Sequence, residues 1–110
     1  MTFDIESSPG APVLMKLQTE TWEVNVWAAL TDLAQLRNIR DADWTARRSM
    51  AIGTCAGASV YWAMLGEEQV SVLIGHDDET WDVGVTIPLA TAYEIASLAE
   101  QQGRSSVQPQ

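Results

Sequence analysis

The sequence predicts an α+β fold: a two-layer domain with a four- to five-stranded, mostly antiparallel sheet (meander 48–87). One helix precedes the meander, and a C-terminal helix packs on one face. Three observations predict it. Apolar residues alternate with others across 58–87: Val60, Trp62, Met64, then Val70, Val72, Ile74, then Trp81, Val83, Val85, Ile87. A period of two is the signature of half-buried strands. Short polar segments, Gly66-Glu67-Glu68 and His76 to Glu79, separate the runs and read as turns. After Pro88, Leu89, Ala92, Ala96 and Ala99, with Tyr93, Ile95 and Leu98, form the broad apolar side of a helix.

In chain order, 1–12 reads as a flexible N-terminal segment because Ser7, Ser8, Pro9, Gly10 and Pro12 crowd into it. Residues 13–102 form the single α+β domain, and the polar 103–110 a disordered tail. Val13–Trp27 is extended in character, as one long strand or two short ones. Its apolar parity switches between Leu17 and Trp22, which a bulge or turn near Thr19–Thr21 explains. Ala28–Ile39 is helical, with Leu30, Leu33 and Ala34 on one stripe. A second short helix at 41–47 and a strand over Arg48–Thr54 follow, and Cys55–Gly57 turns the chain into the meander.

Register follows from facing side chains. A loop at Gly66–Glu68 pairs Leu65 with Gln69, Met64 with Val70, Trp62 with Val72 and Val60 with Ile74. A loop at His76–Glu79 pairs Gly75 with Thr80, Ile74 with Trp81, Val72 with Val83 and Val70 with Val85. Trp62 and Trp81 then share one apolar face under the C-terminal helix. Ser59, Tyr61, Ser71, Asp82, Gly84 and Thr86 take the wet face. Pro88 suits the first turn of the final helix, whose start can slip to Thr91 through the Thr91/Glu94 capping-box spacing, and Gly103 is its expected stop.

Length, charge and cysteine content narrow the function. One domain is the natural reading of 110 residues, long enough to bury a core without metal or disulfide. A hydrophobic fraction of 46% argues against overall disorder. Fifteen acidic against six basic residues give a net charge of −9. That charge repels nucleic-acid phosphate and anionic membrane, and it steers in a basic protein surface. Excess acid also simply keeps a small protein soluble. Cys55 is the sole cysteine, so an internal disulfide is impossible. Residues 1–10 lack the basic start and apolar run of a signal peptide, and a cytoplasmic location is the expectation.

Each candidate site has a plain structural alternative. His76-Asp77-Asp78-Glu79, with Asp82 nearby, offers oxygens to a hard cation, but it lacks the ligand spacing of a calcium loop and reads first as a solvated turn. Cys55 needs a base to act as a nucleophile, and His76 is the only histidine. A small apolar thiol is the simpler role. Arg37, Arg40, Arg47 and Arg48 around Trp44 form a basic segment interrupted by Asp41 and Asp43, where salt links are the simpler reading. Of the five tryptophans, Trp22, Trp62 and Trp81 are assigned to the core. Trp27 and Trp44 sit at element ends, and burial is the expectation for each. A pocket between helix and sheet, left by the small residues Ala92, Ala96 and Gly84, is the feature an enzyme or ligand carrier would need.

No catalytic constellation, metal site or cofactor emerges, and the reading leans away from an enzyme. The expected role is binding another protein, with Glu67, Glu68, Asp77, Asp78, Glu79 and Trp44 as the partner-binding residues. A homo-oligomeric accessory protein, a homodimer through an edge strand or an exposed Trp, is the alternative. The helix–meander–helix outline in a small acidic chain resembles some bacterial toxin-neutralising immunity proteins and many short phage or mobile-element accessory proteins. That resemblance implies inhibition of a basic partner and transfers no residue roles.

Overall fold

The computed structural model describes residues 1–6, 12–42, 48–77 and 80–107. The fold is α+β, with one antiparallel sheet of seven strands in sequence order. The strands are β1 (Thr2–Glu6), β2 (Val13–Gln18), β3 (Glu23–Ala28), β4 (Met50–Cys55), β5 (Ala58–Leu65), β6 (Gln69–Gly75) and β7 (Trp81–Pro88). Helix α1 (Leu30–Ala34) continues into a 3-10 segment, Gln35–Asp41, and α2 (Leu89–Val107) closes the fold. Both helical elements cover the same sheet face. Alternation feeds that face with Ile5, Val13, Met15, Leu17, Val24, Val26, Ile52, Val60, Trp62, Val70, Val72 and Ile87. Leu33, Leu36 and Ile39 come from one helical element and Ala92, Ile95, Ala96 and Ala99 from the other. Trp62 lies at the centre, fully buried, and its Nε1–H donates to Ile52 O across 3.0 Å. The bond satisfies the one polar atom that its burial would otherwise strand.

The strand count exceeds the four to five expected, for two reasons. Residues 13–28 form two strands, because Thr19 Oγ1 accepts from Trp22 N–H and Thr19 N–H donates to Trp22 O, closing a turn where the parity switches. The N-terminal lead-in is in part a strand: Phe3 and Ile5 alternate with Asp4 and Glu6, and Ile5 pairs with Met15. The Ser- and Pro-bearing stretch that prompted the flexible reading, 7–11, lies outside the described residues. At the other end, α2 runs through Gly103 to Val107, so the helix extends into the expected tail. Gly103 meets nothing within 4 Å, and a surface glycine lacking a following turn does not stop a helix. Residue 41 ends the 3-10 segment, and 43–47, the core of the expected second helix, lie outside the described residues.

The first meander hairpin has the expected register, Leu65↔Gln69 through Val60↔Ile74. The second does not. Gly75 pairs with Trp81, Ile74 with Val83, Val72 with Val85 and Val70 with Ile87, with a bulge between Ile74 and Gly75. The cause is the close approach of two backbones. A Cβ on Gly75 would lie 2.4 Å from Trp81 Cα, so only glycine lets the strands cross there. The extra residue sends Trp81 to the opposite face from Trp62, where it stays 41% exposed. The shared apolar face therefore ends at Val83 on β7, and the assignment of Trp81 to the core is overturned. Gly84 lies beneath Trp81 and Leu73 on that outer face. Ala92 and Ala96 are buried in the core, so these small residues do not jointly open a pocket between helix and sheet.

Candidate functional site

The two acidic tips expected to meet a partner lie at opposite ends of β6, whose seven residues span about 20 Å. At the β5–β6 tip, Glu67 and Glu68 are exposed. Glu68 O accepts from Leu89 N–H across 2.8 Å, tying the tip to the start of α2. Glu68 lines a cleft together with Arg40, Pro88, Leu89, Ala90 and Tyr93. At the β6–β7 loop, Asp77 Oδ1 accepts from both Thr80 N–H (2.7 Å) and Thr80 Oγ1–H (2.9 Å). One carboxylate oxygen thus holds the loop, the role Asp commonly takes in turns. Asp78, Glu79 and Trp44 lie outside the described residues.

The basic segment resolves into separate contacts. Arg37 Nη1 reaches Glu100 Oε1 on α2 at 2.7 Å, and Arg40 Nε–H donates to Tyr93 Oη at 3.1 Å. These bonds join the 3-10 segment to α2. The counter-charge for Arg37 is therefore Glu100, which is distant in sequence, and not the neighbouring Asp41.

A larger concavity lies at the Asp77 end of the sheet. The β4–β5 connection is a two-residue turn, with Ala56 at φ 50° and Gly57 at φ 86°, and it pairs Cys55 with Ala58. Such a tight turn ends β4 early. Among the described residues β3 meets β4 at one pair, Trp27↔Thr54, so the first residues of β3 have no strand beside them there. Gly53 makes this junction possible. It adopts φ 83°, and a Cβ there would fall 2.5 Å from Val26 Cγ1.

The space left is a cleft of about 480 Å³ lined by Glu23, Val24, Asn25, Trp27, Cys55, Ala56, Ala58, Ile74, Asp82 and Val83. By strand parity Val24, Ala58, Ile74 and Val83 belong to the apolar face, whereas Glu23, Asn25 and Trp27 belong to the opposite one, so residues of both faces line the cleft. Trp27 and Val83 remain 51% and 48% exposed, against the expectation that Trp27 is buried. The Glu23 and Asp82 carboxylates are exposed, and none of the lining residues is basic. Asn25 Nδ2–H donates to Glu23 Oε2 at 3.2 Å, and Asn25 Oδ1 has no partner among the described residues.

Sequence reasoning missed this cleft. The available signal was the parity of β3: Val24, Val26 and Ala28 face inward, so Trp27 must face outward. Among the described residues no group of His, Cys, Asp and Glu is arranged to hold a metal ion, and no helix is long and apolar enough to cross a membrane. Compared with known protein families, curated proteins and solved structures, the chain matches none.

Proposed function

We propose that this chain is a small acidic protein-binding module that masks a basic surface of another protein, in the manner of an inhibitor or immunity-type protein. The observation that carries the reading is the Glu23–Trp27–Asp82–Val83 cleft. It combines the exposed apolar side chains of Trp27 and Val83 with two carboxylates, and among the described residues that line it there is no cation. A lysine or arginine side chain from the partner fits this chemistry. Its aliphatic stem lies on Val24, Ile74 and Val83, its charge meets Glu23 and Asp82, and the Trp27 ring face offers a cation–π contact. Exclusion of water by the apolar floor strengthens each of these terms. The net charge of −9 speeds the encounter. The Glu67/Glu68 tip adds long-range field at the far end of β6.

The test uses the chain as bait in extracts of its native host, followed by calorimetry with the purified captured protein. Trp27→Ala and the pair Glu23→Gln/Asp82→Asn are expected to weaken binding about tenfold or more, with a steep loss on raising salt. Glu67→Gln/Glu68→Gln should slow association and leave dissociation nearly unchanged. Affinity that ignores salt and both cleft variants would remove this reading.

A further inference from the structure

The two edges of the sheet are built differently. β1 is short, and its exposed side chains include Asp4 and Glu6, charges that discourage another strand from pairing. β7 is longer, its first four residues are exposed, and from Val83 to Ile87 it carries no charge.

Among the described residues no strand pairs with the outer edge of β7, and its backbone shows what that edge offers. Leu89 N–H donates to Glu68 O, and the register continues as Gln69↔Pro88, Val70↔Ile87, Ser71↔Thr86, Val72↔Val85 and Leu73↔Gly84. Bonded and non-bonded pairs alternate along an antiparallel ladder. Ile87 and Val85 therefore turn their N–H and C=O groups toward β6. Pro88, Thr86 and Gly84 turn theirs outward. Pro88, which has no N–H, sits where none is needed. Gly84 and Thr86 each present an outward donor and acceptor.

We propose that β7 pairs with β7 of a second copy of this chain, antiparallel about a two-fold axis through Val85. This inference does not depend on the partner-binding reading above. A second copy fits because the strand is complementary to itself. In this register Gly84 and the partner's Thr86 exchange both backbone hydrogen bonds, and Thr86 and the partner's Gly84 do the same. Val85 falls opposite Val85 of the partner on the apolar side, and Val83, 48% exposed in the single chain, gains cover from the partner's edge opposite the partner's Ile87, whose own side chain is already buried. Asp82, the one charge on β7, falls opposite the partner's Pro88, so no like charges meet. The symmetry is isologous and closed, which yields a dimer and no filament. The contact is small, so the expected dissociation constant is micromolar.

The test is sedimentation velocity of the full chain from low micromolar to near-millimolar concentration. The mass should rise from 12.0 kDa toward twice that value. Hydrogen exchange at the Gly84 and Thr86 amides should slow over the same range. Thr86→Pro removes an outward N–H without touching the β6–β7 ladder and should weaken association about tenfold or more. Val83→Lys should do the same by charging the edge, and it decides the matter if the proline variant misfolds. A wild-type chain that stays monomeric throughout overturns the proposal. So does a dimer that survives both substitutions, or one whose Gly84 and Thr86 amides exchange as fast as in the monomer.

Discussion

The indole of Trp81 lies over Gly84, on the face of the sheet opposite the one that buries Trp62. A Cβ on residue 84 would stand 3.4 Å from Trp81 Nε1 and 3.2 Å from Leu73 Cδ2. The bare glycine leaves room for the ring beside it. Gly84→Val fills that space and pushes the indole outward. The expected cost is about 1–3 kcal/mol in urea denaturation, with easier acrylamide quenching of tryptophan emission.

Gly75 holds the bulge that sends Trp81 to that face. A methyl there meets the Trp81 backbone at 2.4 Å, and backbone cannot swing away as a side chain does. Gly75→Ala should cost about 2 kcal/mol or more. It should also shift the amide resonances of Trp81, Asp82 and Val83 together. A variant with wild-type stability and unchanged resonances would show that the strands need no such approach.

Trp62 combines full burial with one hydrogen bond, Nε1–H to Ile52 O. Trp62→Phe leaves a cavity and strands the Ile52 carbonyl. The expected loss is about 2–4 kcal/mol, read as a lower urea midpoint at unchanged slope.

The Arg37–Glu100 pair joins the 3-10 segment to α2, but Arg37 is 65% exposed. Water and salt screen such a pair. Glu100→Gln should change stability by no more than about 1 kcal/mol, and the difference should vanish at high salt. A larger, salt-independent loss would show that Glu100 acts through packing.

Cys55 is partly exposed and lines the cleft. It should react with a small disulfide reagent without prior unfolding, so the rate should not track global stability. A bulky maleimide at Cys55 should occlude the cleft and block the captured partner. Reaction only in denaturant would place the thiol out of reach.

Much of the architecture was legible from side-chain period alone. The register of the β5–β6 hairpin followed from facing Val60, Trp62 and Met64 against Ile74, Val72 and Val70. The turn near Thr19 followed from a parity switch. β1 carried the same signal in Phe3 and Ile5, masked by the carboxylates between them. The candidate cleft was much less legible. Glu67, Glu68 and Asp77 stand out in composition, yet they fall at two ends of the sheet, and the Asp77 carboxylate is engaged within its own loop.

By itself, then, the amino-acid order determined the α+β class, the strands of the meander and which faces of β5 and β6 are apolar, because those depend on neighbours two to four residues apart. The tertiary structure decided the face on which Trp81 lies, the counter-charge of Arg37, and the meeting of Glu23, Trp27, Asp82 and Val83 in one cleft. Each of these depends on where backbones from distant parts of the chain come into contact. A single missing Cβ at Gly75 and an early end to β4 have no periodic signature.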